Sequence, residues 1–513
     1  MPGSRAIVVG AGMGGLVAAL ELAAQGLDVT LLERGAAPGG KLRTLTVGGR
    51  PVDSGPTVLT LREVFDDVFA AAGSRLEDHL DLQPAEILAR HAWDAERHLD
   101  LFADPQRSAE AIATLAGAAE GRRFRRFIDE AQRIYQTLEH SFIRAERPSP
   151  AGLVRRAGFS GLGGLWRIRP FATLWQALEQ SFHDPRLRQL FGRYATYCGS
   201  SPFQAPATLM LVAHVEQAGV WRLAGGMHRL AEALAAVARE KGVELRYETP
   251  VAEVLVHQGR ASGVRLAGGE ELAAEAVVLN ADAAAVAAGR LGSAAARALP
   301  PSAGMPRSQS AVTWSLLART RGFPLVHHNV FFSRDYAAEF EDVFDHRRTP
   351  REPTVYICAQ DRPAADAPAP EGPERLLCLV NAPATGDRHP FATGEIEACA
   401  DRTFAQLARC GAQVDREEAL TRVTTPADFE RLFPGTAGAL YGPASHGWKA
   451  SFQRPGARTR LPGLYLAGGS VHPGPGLPMA ALSGRLAAAA LLSDLGSGTR
   501  SRRTATPGGT WTP

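Results

Sequence analysis

Short apolar runs alternate with glycine-rich turns at the start of the chain. Residues 6–9 are apolar throughout and predict a buried strand, 15–25 form an alanine-rich stretch that predicts a helix, and 29–32 predict a second strand. Together they predict a β-α-β unit. Farther along, apolar residues recur at helical spacing over 63–72 and 109–138, and each range is predicted to be helical.

A second regular block begins at the glycine pair 225–226. Residues 227–241 predict a helix, and short apolar runs separated by glycine turns predict strands near 243–247, 251–256, 263–266 and 277–279. This layout is typical of a small sheet that flanks a larger domain. Residues 296–454 have a mixed pattern that places no element, and 496–513, rich in Gly, Ser, Thr, Arg and Pro, are predicted to be a disordered tail.

Composition narrows the class of protein. The chain has 513 residues, which allows two or three domains, with 45% hydrophobic and 21% charged residues, as in ordinary globular proteins. The 56 basic and 53 acidic residues give a net charge of only +3. This even balance argues against a nucleic-acid partner, which usually requires a basic surface.

The cysteines and the apolar stretches bear on location. The 5 cysteines form no Cys-x-x-Cys pair, which argues against a zinc site or a disulfide framework and favours a reducing cytoplasm. The apolar stretch 6–20 contains four glycines and runs into Glu21, so no signal peptide is predicted. Residues 195–215 and 463–484 lack charged side chains but contain prolines, so neither is predicted to cross a membrane.

The turn between the first strand and helix has the pattern of a dinucleotide-binding site. It contains Gly10, Gly12, Gly14 and Gly15, and the acidic Glu33 ends the second strand. Gly10 allows a tight turn, Gly12 lets a pyrophosphate approach the backbone, and Gly15 lets the helix pack on the sheet. The Glu33 carboxylate can accept a hydrogen bond from a ribose hydroxyl. The motif by itself leaves both NAD and FAD open.

Three further segments carry glycine at positions where a cofactor must approach the backbone closely. After Glu33, two loops at 39–43 and 53–57 resemble cofactor-binding segments of the flavin amine oxidase superfamily. This resemblance implies that the cofactor-binding residues in this part of the chain are Arg34, Gly40, Lys41, Arg43, Gly55, Pro56 and Thr57. Near the C-terminus, the strand at 464–467 ends in glycines and is followed by a turn and a helix. The candidates there are Gly468, Gly469, Gly476, Leu477, Pro478, Met479 and Ala480.

In their order along the chain, these motifs resemble the flavin amine oxidase superfamily and, within it, the bacterial phytoene-desaturase-type carotenoid desaturases. The resemblance spans essentially the whole chain and includes residues 194–199, 221–230 and 452–455. The His-Pro-Gly-Pro-Gly turn at 472–476 is its most specific motif. The ending 477–484 is similar to the 1-hydroxy- or 1-methoxycarotenoid 3,4-desaturases of spheroidene and spirilloxanthin synthesis.

The resemblance implies FAD as cofactor and an α/β fold of the GR2 flavoprotein type. Its discontinuous Rossmann-like FAD-binding domain is expected to comprise residues 1–85, 215–295 and 456–495. An inserted α+β region, residues 86–214 and 296–455, is expected to bind substrate and contact the membrane. The backbone of Val251 is expected to meet the adenine.

The implied chemistry is removal of two hydrogens from a hydrophobic acyclic C40 carotenoid, with quinone or oxygen as electron acceptor. FAD would take a hydride, while the protein would supply a long apolar channel that excludes water. No catalytic residue is assigned: Glu139, His140 and Arg144 are expected to be surface charges, because charged side chains mostly face solvent. His472 is expected to structure the backbone.

Because the implied substrate resides in a membrane, the enzyme must reach one. Residues 151–182 combine arginines with Phe and Trp, a composition typical of a segment that lies on a membrane surface. We expect peripheral attachment on the cytoplasmic side. The alternative interpretation is a core-packing helix pair with a basic rim.

Other functions fit parts of the pattern. A phytoene desaturase would share every motif, and a flavin amine oxidase would share fold and cofactor. A non-enzymatic isoprenoid carrier on the same fold is a rival from another class, because fold alone does not determine function. A plain NAD dehydrogenase is disfavoured by the C-terminal glycine segment.

Overall fold

The computed structural model describes residues 3–146, 171–299, 305–362 and 370–502. The strands are β1 (Arg5–Val9), β2 (Asp28–Leu32), β3 (Thr44–Val47), β4 (Arg50–Asp53), β5 (Leu82–Pro84), β6 (Ile87–Ala92), β7 (His98–Phe102), β8 (Trp221–Leu223), β9 (Glu244–Arg246), β10 (Val251–His257), β11 (Arg260–Leu266), β12 (Glu271–Ala273), β13 (Ala276–Leu279), β14 (Ser310–Gly322), β15 (His328–Phe331), β16 (Val355–Ala359), β17 (Glu374–Ala382), β18 (Ala412–Asp415), β19 (Thr421–Thr424) and β20 (Leu464–Leu466).

The helices are α1 (Met13–Ala24), α2 (Arg62–Ala71), α3 (Pro105–Ala116), α4 (Ala118–Leu138), α5 (Leu174–Ser181), α6 (Pro185–Gly192), α7 (Leu211–Gln217), α8 (Arg229–Glu240), α9 (Ala283–Ala287), α10 (Ser293–Arg297), α11 (Tyr336–Phe344), α12 (Thr393–Arg409), α13 (Pro426–Leu432), α14 (Ala450–Gln453) and α15 (Leu477–Arg502). A π-helical turn, Glu139–Ile143, follows α4, and a 3-10 turn, Arg193–Cys198, follows α6.

A parallel five-stranded sheet forms the first layer, with strand order β20-β13-β1-β2-β9. The inner strands β1 and β13 are mostly apolar because both faces are covered, whereas the edge strand β9 is Glu-Leu-Arg and partly exposed. Val8 of β1 packs in one cluster with α1, α8 and α15, whereas Ile7 and Val9 pack on the opposite face against β10 and β11. Alternate residues of one strand therefore serve two separate cores.

The five strands come from distant parts of the chain: β1 and β2 from the N-terminus, β9 and β13 from residues 244–279, and β20 from 464–466. These positions fall inside the three segments expected to form the discontinuous domain, and the mixed α/β fold class is confirmed. The exact domain boundaries stay a prediction.

An eight-stranded sheet forms the second layer, with order β18-β14-β17-β16-β15-β6-β7 and β19 paired to β14. All its pairs are antiparallel except β15 with β6. Helices cover both faces, since Tyr356 and Leu377 pack with residues of α3–α7, whereas Trp314 and Ile357 pack with Leu407 of α12. Buried residues on both faces explain why this region shows no clear alternation in the sequence.

Most predicted elements are confirmed to within a few residues, and one predicted helical range is interrupted. Residues 109–138 form the end of α3 and all of α4 rather than one helix. The break is at Gly117, whose φ of +94° lies in the left-handed region that ends helices. The predicted tail also starts differently, because α15 continues past residue 496 to Arg502; residues 503–513 lie outside the described residues.

Among the described helices, none combines the length and apolar character that a membrane span requires.

Candidate cofactor and substrate site

A cavity of about 1120 Å³ lies where the parallel sheet meets the eight-stranded sheet. The carboxyl ends of four parallel strands open into it, through Val9, Leu32, Asn280 and Ala467. Ligands of open α/β sheets bind at this edge. The other wall carries side chains of β14, β16 and β17.

Nearly all predicted cofactor-binding residues line this cavity. They are Gly10, Gly12, Gly14, Glu33, Arg34, Gly40, Lys41, Arg43, Gly55, Pro56, Thr57, Val251, Gly468, Gly469, Gly476, Leu477, Pro478, Met479 and Ala480. Gly15 lies behind them, where a Cβ atom would be 2.0 Å from Gly10 O. Its role is close packing of α1 on the sheet, as the sequence predicts.

The glycine turn is shaped by Asn280, a residue that the sequence analysis missed. A Cβ atom on Gly12 would lie 2.6 Å from Asn280 Oδ1. The Asn280 side-chain amide donates to Ala467 O (3.1 Å), so it links this turn to the end of β20. A side chain at position 12 would therefore collide with Asn280 at the cavity wall.

Glu33 holds the end of β2 against the glycine turn. Its carboxylate accepts hydrogen bonds from Ala11 N and Gly35 N, each 2.7 Å long. A carboxylate has further lone pairs beyond these two bonds, and Glu33 lines the cavity. The ribose contact expected from the sequence stays a prediction.

Lys41 and Arg43 extend toward the opposite wall. Lys41 Nζ donates to Leu440 O (2.6 Å), and burial lowers the pKa of this amine, an effect that Asp282 partly offsets. Arg43 donates to Thr424 Oγ1 (3.2 Å), and burial lowers the pKa of its guanidinium. Both cations therefore connect the first layer to the second at the cavity.

The C-terminal candidates form a tight turn at the start of α15. Gly468 and Gly476 have φ of +119° and +108°, values that favour glycine. The Gly468 N–H donates to Ser483 Oγ (3.1 Å). The first residues of both α1 and α15 line the cavity, so two helix N-termini present N–H groups and positive partial charge to it.

Arg454 reinforces this turn, and its role was also missed, although residues 452–455 were noted as a motif. Its guanidinium donates to the carbonyl oxygens of Tyr441 (3.2 Å), Pro443 (2.7 Å) and Gly469 (3.3 Å). Burial lowers its pKa to about 10. It fastens the segment after β20 to residues 441–443 of the second layer.

The four residues predicted to have no catalytic role, Glu139, His140, Arg144 and His472, lie outside the cavity lining. Glu139 pairs with Arg144 (3.0 Å), and the His140 side chain is 83% exposed. His472 is buried, with Nε2 3.0 Å from Phe142 O and its ring packed edge-on against the Phe142 ring. Among the residues that the structure describes, these four are not part of the cavity lining.

The cavity has a polar end of which only Tyr197, in the motif at 194–199, belongs to a segment noted in the sequence. Arg193 donates to Tyr197 OH (3.0 Å), and Tyr197 OH donates to Glu216 Oε1 (3.2 Å). Tyr356 OH lies 2.7 Å from Thr57 Oγ1. We call Arg193, Tyr197, Glu216, Tyr336 and Tyr356 the polar end; all of them line the cavity.

One side-chain cluster close to this end has potential metal ligands. Ligand atoms of His327, His328 and Cys358 lie within 4.8 Å of one another. Burial lowers the pKa of His327 to about 4, so its imidazole is neutral at pH 7. Burial also raises the pKa of the Cys358 thiol, which opposes formation of a thiolate ligand. The expectation of no metal site stays a prediction.

The geometry fits an elongated dinucleotide whose pyrophosphate lies at the glycine turn. The acid at the end of β2 and the N-termini of α1 and α15 are the features that such a cofactor requires. The cavity continues past Gly40 to Thr57 and Met479, which leaves room for a flat ring. The fold and site therefore define the class of dinucleotide-binding oxidoreductases.

Comparison with known proteins identifies the family. The family of flavin-containing amine oxidoreductases matches residues 13–492. The chain is 56% identical over 98% of its length to hydroxyneurosporene desaturase of Rubrivivax gelatinosus, of which 96% is covered. It is 48% identical over 97% of its length to the Cereibacter sphaeroides protein of the same name, of which 99% is covered.

A solved structure of putrescine oxidase bound to putrescine has the same fold, with a TM-score of 0.60 at 15% identity. The match covers 96% of this chain and 99% of that one. The chain belongs to the flavin-containing amine oxidoreductase family. It is an FAD-dependent oxidoreductase.

Proposed function

We propose that the protein is a carotenoid desaturase that removes two hydrogens from an acyclic C40 carotenoid. The reaction is 3,4-desaturation of a 1-hydroxy- or 1-methoxycarotenoid in spheroidene or spirilloxanthin synthesis. The observation that carries this proposal is the 56% identity, over 98% of the chain, to a relative named hydroxyneurosporene desaturase. A phytoene desaturase of the same family is the alternative.

FAD is held along the wall that contains the glycine turn. Glu33 and Val251 lie on the adenosine side of that turn, and Thr57 and Met479 lie on the flavin side. Support comes from the position of all four on one cavity and from the two helix N-termini that face it. When bound, FAD supplies the hydride-accepting chemistry.

The protein's own contribution is an apolar channel beside this wall. Leu138, Phe142, Val212, Leu377 and Leu379 line it, and all five pack in the core on one face of the eight-stranded sheet. A neutral polyene offers almost no hydrogen-bonding groups, so such side chains bind it by apolar contact and exclude water. This lining supports a polyene over a polar amine as substrate.

Peripheral membrane contact is the second part of the proposal. Phe171 is 71% exposed and Trp448 is 39% exposed, and their rings pack edge-on with centroids 5.7 Å apart. Trp448 also lines the cavity. This aromatic pair therefore joins the protein surface to the channel, where a membrane-resident substrate would enter.

Only part of the segment expected to contact the membrane, residues 151–182, can be compared with the structure, since 151–170 lie outside the described residues. For Phe182 the expectation is wrong, because its ring is fully buried in a cluster with Phe127 and Phe191. Trp175 also packs inward, against Phe203 and Tyr336.

Membrane contact is tested by co-sedimentation with anionic liposomes. Replacing both Phe171 and Trp448 with serine should reduce the bound fraction. The matched control is Val256→Ser, because Val256 is 40% exposed but lies on β10 of the small sheet. Equal binding by the double variant and the control would contradict this part of the proposal.

Activity is tested by incubating the FAD-loaded protein and liposomes with 1-hydroxyneurosporene. A product lighter by two hydrogens, with a red-shifted absorption spectrum, is expected. Conversion of phytoene alone would favour the phytoene desaturase alternative, and oxidation of an amine without reaction of any polyene would favour an amine oxidase. FAD binding without any reaction would favour the carrier.

The electron acceptor is proposed to be quinone or oxygen. Single-turnover reduction of the bound flavin by substrate, followed by addition of either acceptor, separates the two. Reoxidation by a quinone under anaerobic conditions at a rate that supports turnover would assign the quinone. Reoxidation by neither acceptor would contradict both.

A further inference from the structure

The polar end of the cavity contrasts with the apolar channel beside it. Arg193, Tyr197 and Glu216 form a hydrogen-bonded chain, and Tyr194 donates to the same carboxylate from behind. Arg193 and Tyr197 belong to the 3-10 turn after α6, and Glu216 belongs to α7. A neutral polyene can form hydrogen bonds with such groups only through an oxygen atom at its end.

Arg193 is a half-buried cation whose N–H donors are not all used by the protein. It forms no ion pair with any described carboxylate, and its hydrogen bond in the structure is to Tyr197 OH. Its Cζ lies 5.3 and 5.2 Å from the rings of Tyr197 and Tyr356. The guanidinium carries five N–H donors, and the side chain lines the cavity.

The neighbouring wall contains polar atoms without partners. Tyr336 is only 6% exposed, and its hydroxyl has no hydrogen-bond partner among the described residues. The same holds for Gln309 Oε1 and Thr313 Oγ1, and all three side chains line the cavity. Buried polar groups nearly always have partners, so this group of atoms indicates a ligand with hydrogen-bonding capacity.

The location of the polar end matches the geometry of the proposed reaction. In a 1-hydroxy- or 1-methoxycarotenoid the oxygen is separated from the C3–C4 bond by only about 4–5 Å. The group that binds this oxygen must therefore lie deep in the cavity, near the flavin side, and not at the surface. Tyr356 OH is 2.7 Å from Thr57 Oγ1, on that side of the glycine turn.

We propose that Arg193 and Tyr336 form a subsite that donates hydrogen bonds to the hydroxyl or ether oxygen at the end of the substrate. This inference rests on the proposed function and adds the residues that bind the oxygen-bearing end of the substrate. Glu216 is a positioning residue, because it orients Tyr197, which in turn holds Arg193. Donation to oxygen suits both a hydroxyl and a methoxy group, since each can accept.

The test compares two ligands that differ only at the end group, where the hydroxylated one carries the elements of water across the terminal double bond of the other. The dissociation constants of 1-hydroxyneurosporene and of neurosporene, which lacks the hydroxyl, are measured by quenching of flavin fluorescence in the FAD-loaded protein. Turnover of both is recorded in parallel. Arg193→Met should weaken binding of the hydroxylated ligand about 10- to 100-fold and change binding of neurosporene little.

Two milder variants cover the case in which Arg193→Met does not fold. Tyr336→Phe should cost about 2- to 10-fold, only for the oxygenated ligand, and Arg193→Lys should restore part of the loss. The matched control is Arg125→Met, because Arg125 is exposed on α4. It should behave as the wild type toward both ligands.

The outcomes separate the two proposals. If Arg193 and Tyr336 variants lose equal affinity for both ligands, or lose none, the subsite is refuted. If the wild type binds both ligands but converts neither, the proposed function fails while the binding ratios still decide the subsite. The subsite is supported if the variants lose affinity only for the hydroxylated ligand, and if KM for that ligand changes more than kcat.

Discussion

Gly14 lies where three parts of the cofactor wall meet, so its replacement tests the close packing directly. A Cβ atom at this position would lie 2.8 Å from Gly468 N, 3.0 Å from Ala480 O and 3.0 Å from Asn280 Nδ2. Two of these atoms are backbone, and the third belongs to a hydrogen-bonded amide. None of them can move away without shifting the cavity wall.

The expected magnitude is the balance of two effects. Overpacking costs about 1–3 kcal/mol, and alanine in place of glycine inside a helix returns up to about 1 kcal/mol. Gly14→Ala should therefore destabilise the protein by about 1–2 kcal/mol. Because the displaced atoms line the cavity, FAD affinity should fall at least about tenfold.

Thermal unfolding with and without added FAD, together with the absorbance of bound flavin, measures both effects. Gly394→Ala is the matched control, since Gly394 is likewise the second residue of a helix and a Cβ atom there meets nothing within 4 Å. The control should be as stable as the wild type or more so. Full flavin content and an unchanged Tm in Gly14→Ala would refute the packing argument.

Three further predictions concern charged groups. Glu33→Gln replaces a carboxylate that accepts from two backbone N–H groups, and it should destabilise the protein by about 1–3 kcal/mol and weaken FAD binding, as measured by flavin titration. Arg362→Met leaves the buried Glu374 without its bidentate partner (2.9 and 2.8 Å) and should cost about 3–5 kcal/mol in denaturant unfolding. Burial raises the pKa of Glu339 to about 7. As pH rises from 4.5 to 7, the wild type should therefore lose about 3 kcal/mol of unfolding free energy. The Glu339→Gln variant, which has no carboxyl group at this position, should not show this loss.

Each of these has a clear contrary result. Glu33→Gln with unchanged FAD affinity would remove the carboxylate from the site, and a loss below about 1 kcal/mol in Arg362→Met would mean that the ion pair is solvated. Between pH 4.5 and 7 the Glu339 carboxyl is protonated in the folded protein and ionised in the unfolded chain. The stability of the wild type must therefore fall as pH rises through this range. A difference between wild type and variant that stays flat over this range would contradict it.

The local parts of the fold and site could be predicted from the sequence. The β1-α1-β2 unit, the glycine turn and the start of α15 are each contiguous, and close backbone approach to a cofactor requires glycine at fixed places. The required glycines therefore form a pattern that can be recognised in the sequence. Nearly all residues predicted to bind the cofactor therefore line one cavity, and their contacts with FAD stay a prediction.

The polar end could not be found in this way. Arg193, Glu216 and Tyr336 come from three elements far apart in the chain, and each alone is an ordinary residue of a helix or turn. Strand β14 was missed for a different reason: residues 310–318 are buried throughout, so the strand has no alternation to detect. Its place in the sheet depends on neighbours that the local pattern does not contain.

The origin of the parallel sheet has a consequence for biosynthesis. Strand β20, at the edge of that sheet, and the first turn of α15 are the last parts of the cofactor wall to leave the ribosome. Until they are translated, β13 has an unpaired edge and Gly14 lacks two of its three neighbours, Gly468 and Ala480. Cofactor binding therefore follows synthesis of nearly the whole polypeptide. A chain that stops before residue 464 would expose the unpaired N–H and C=O groups of β13, which favour aggregation and chaperone binding.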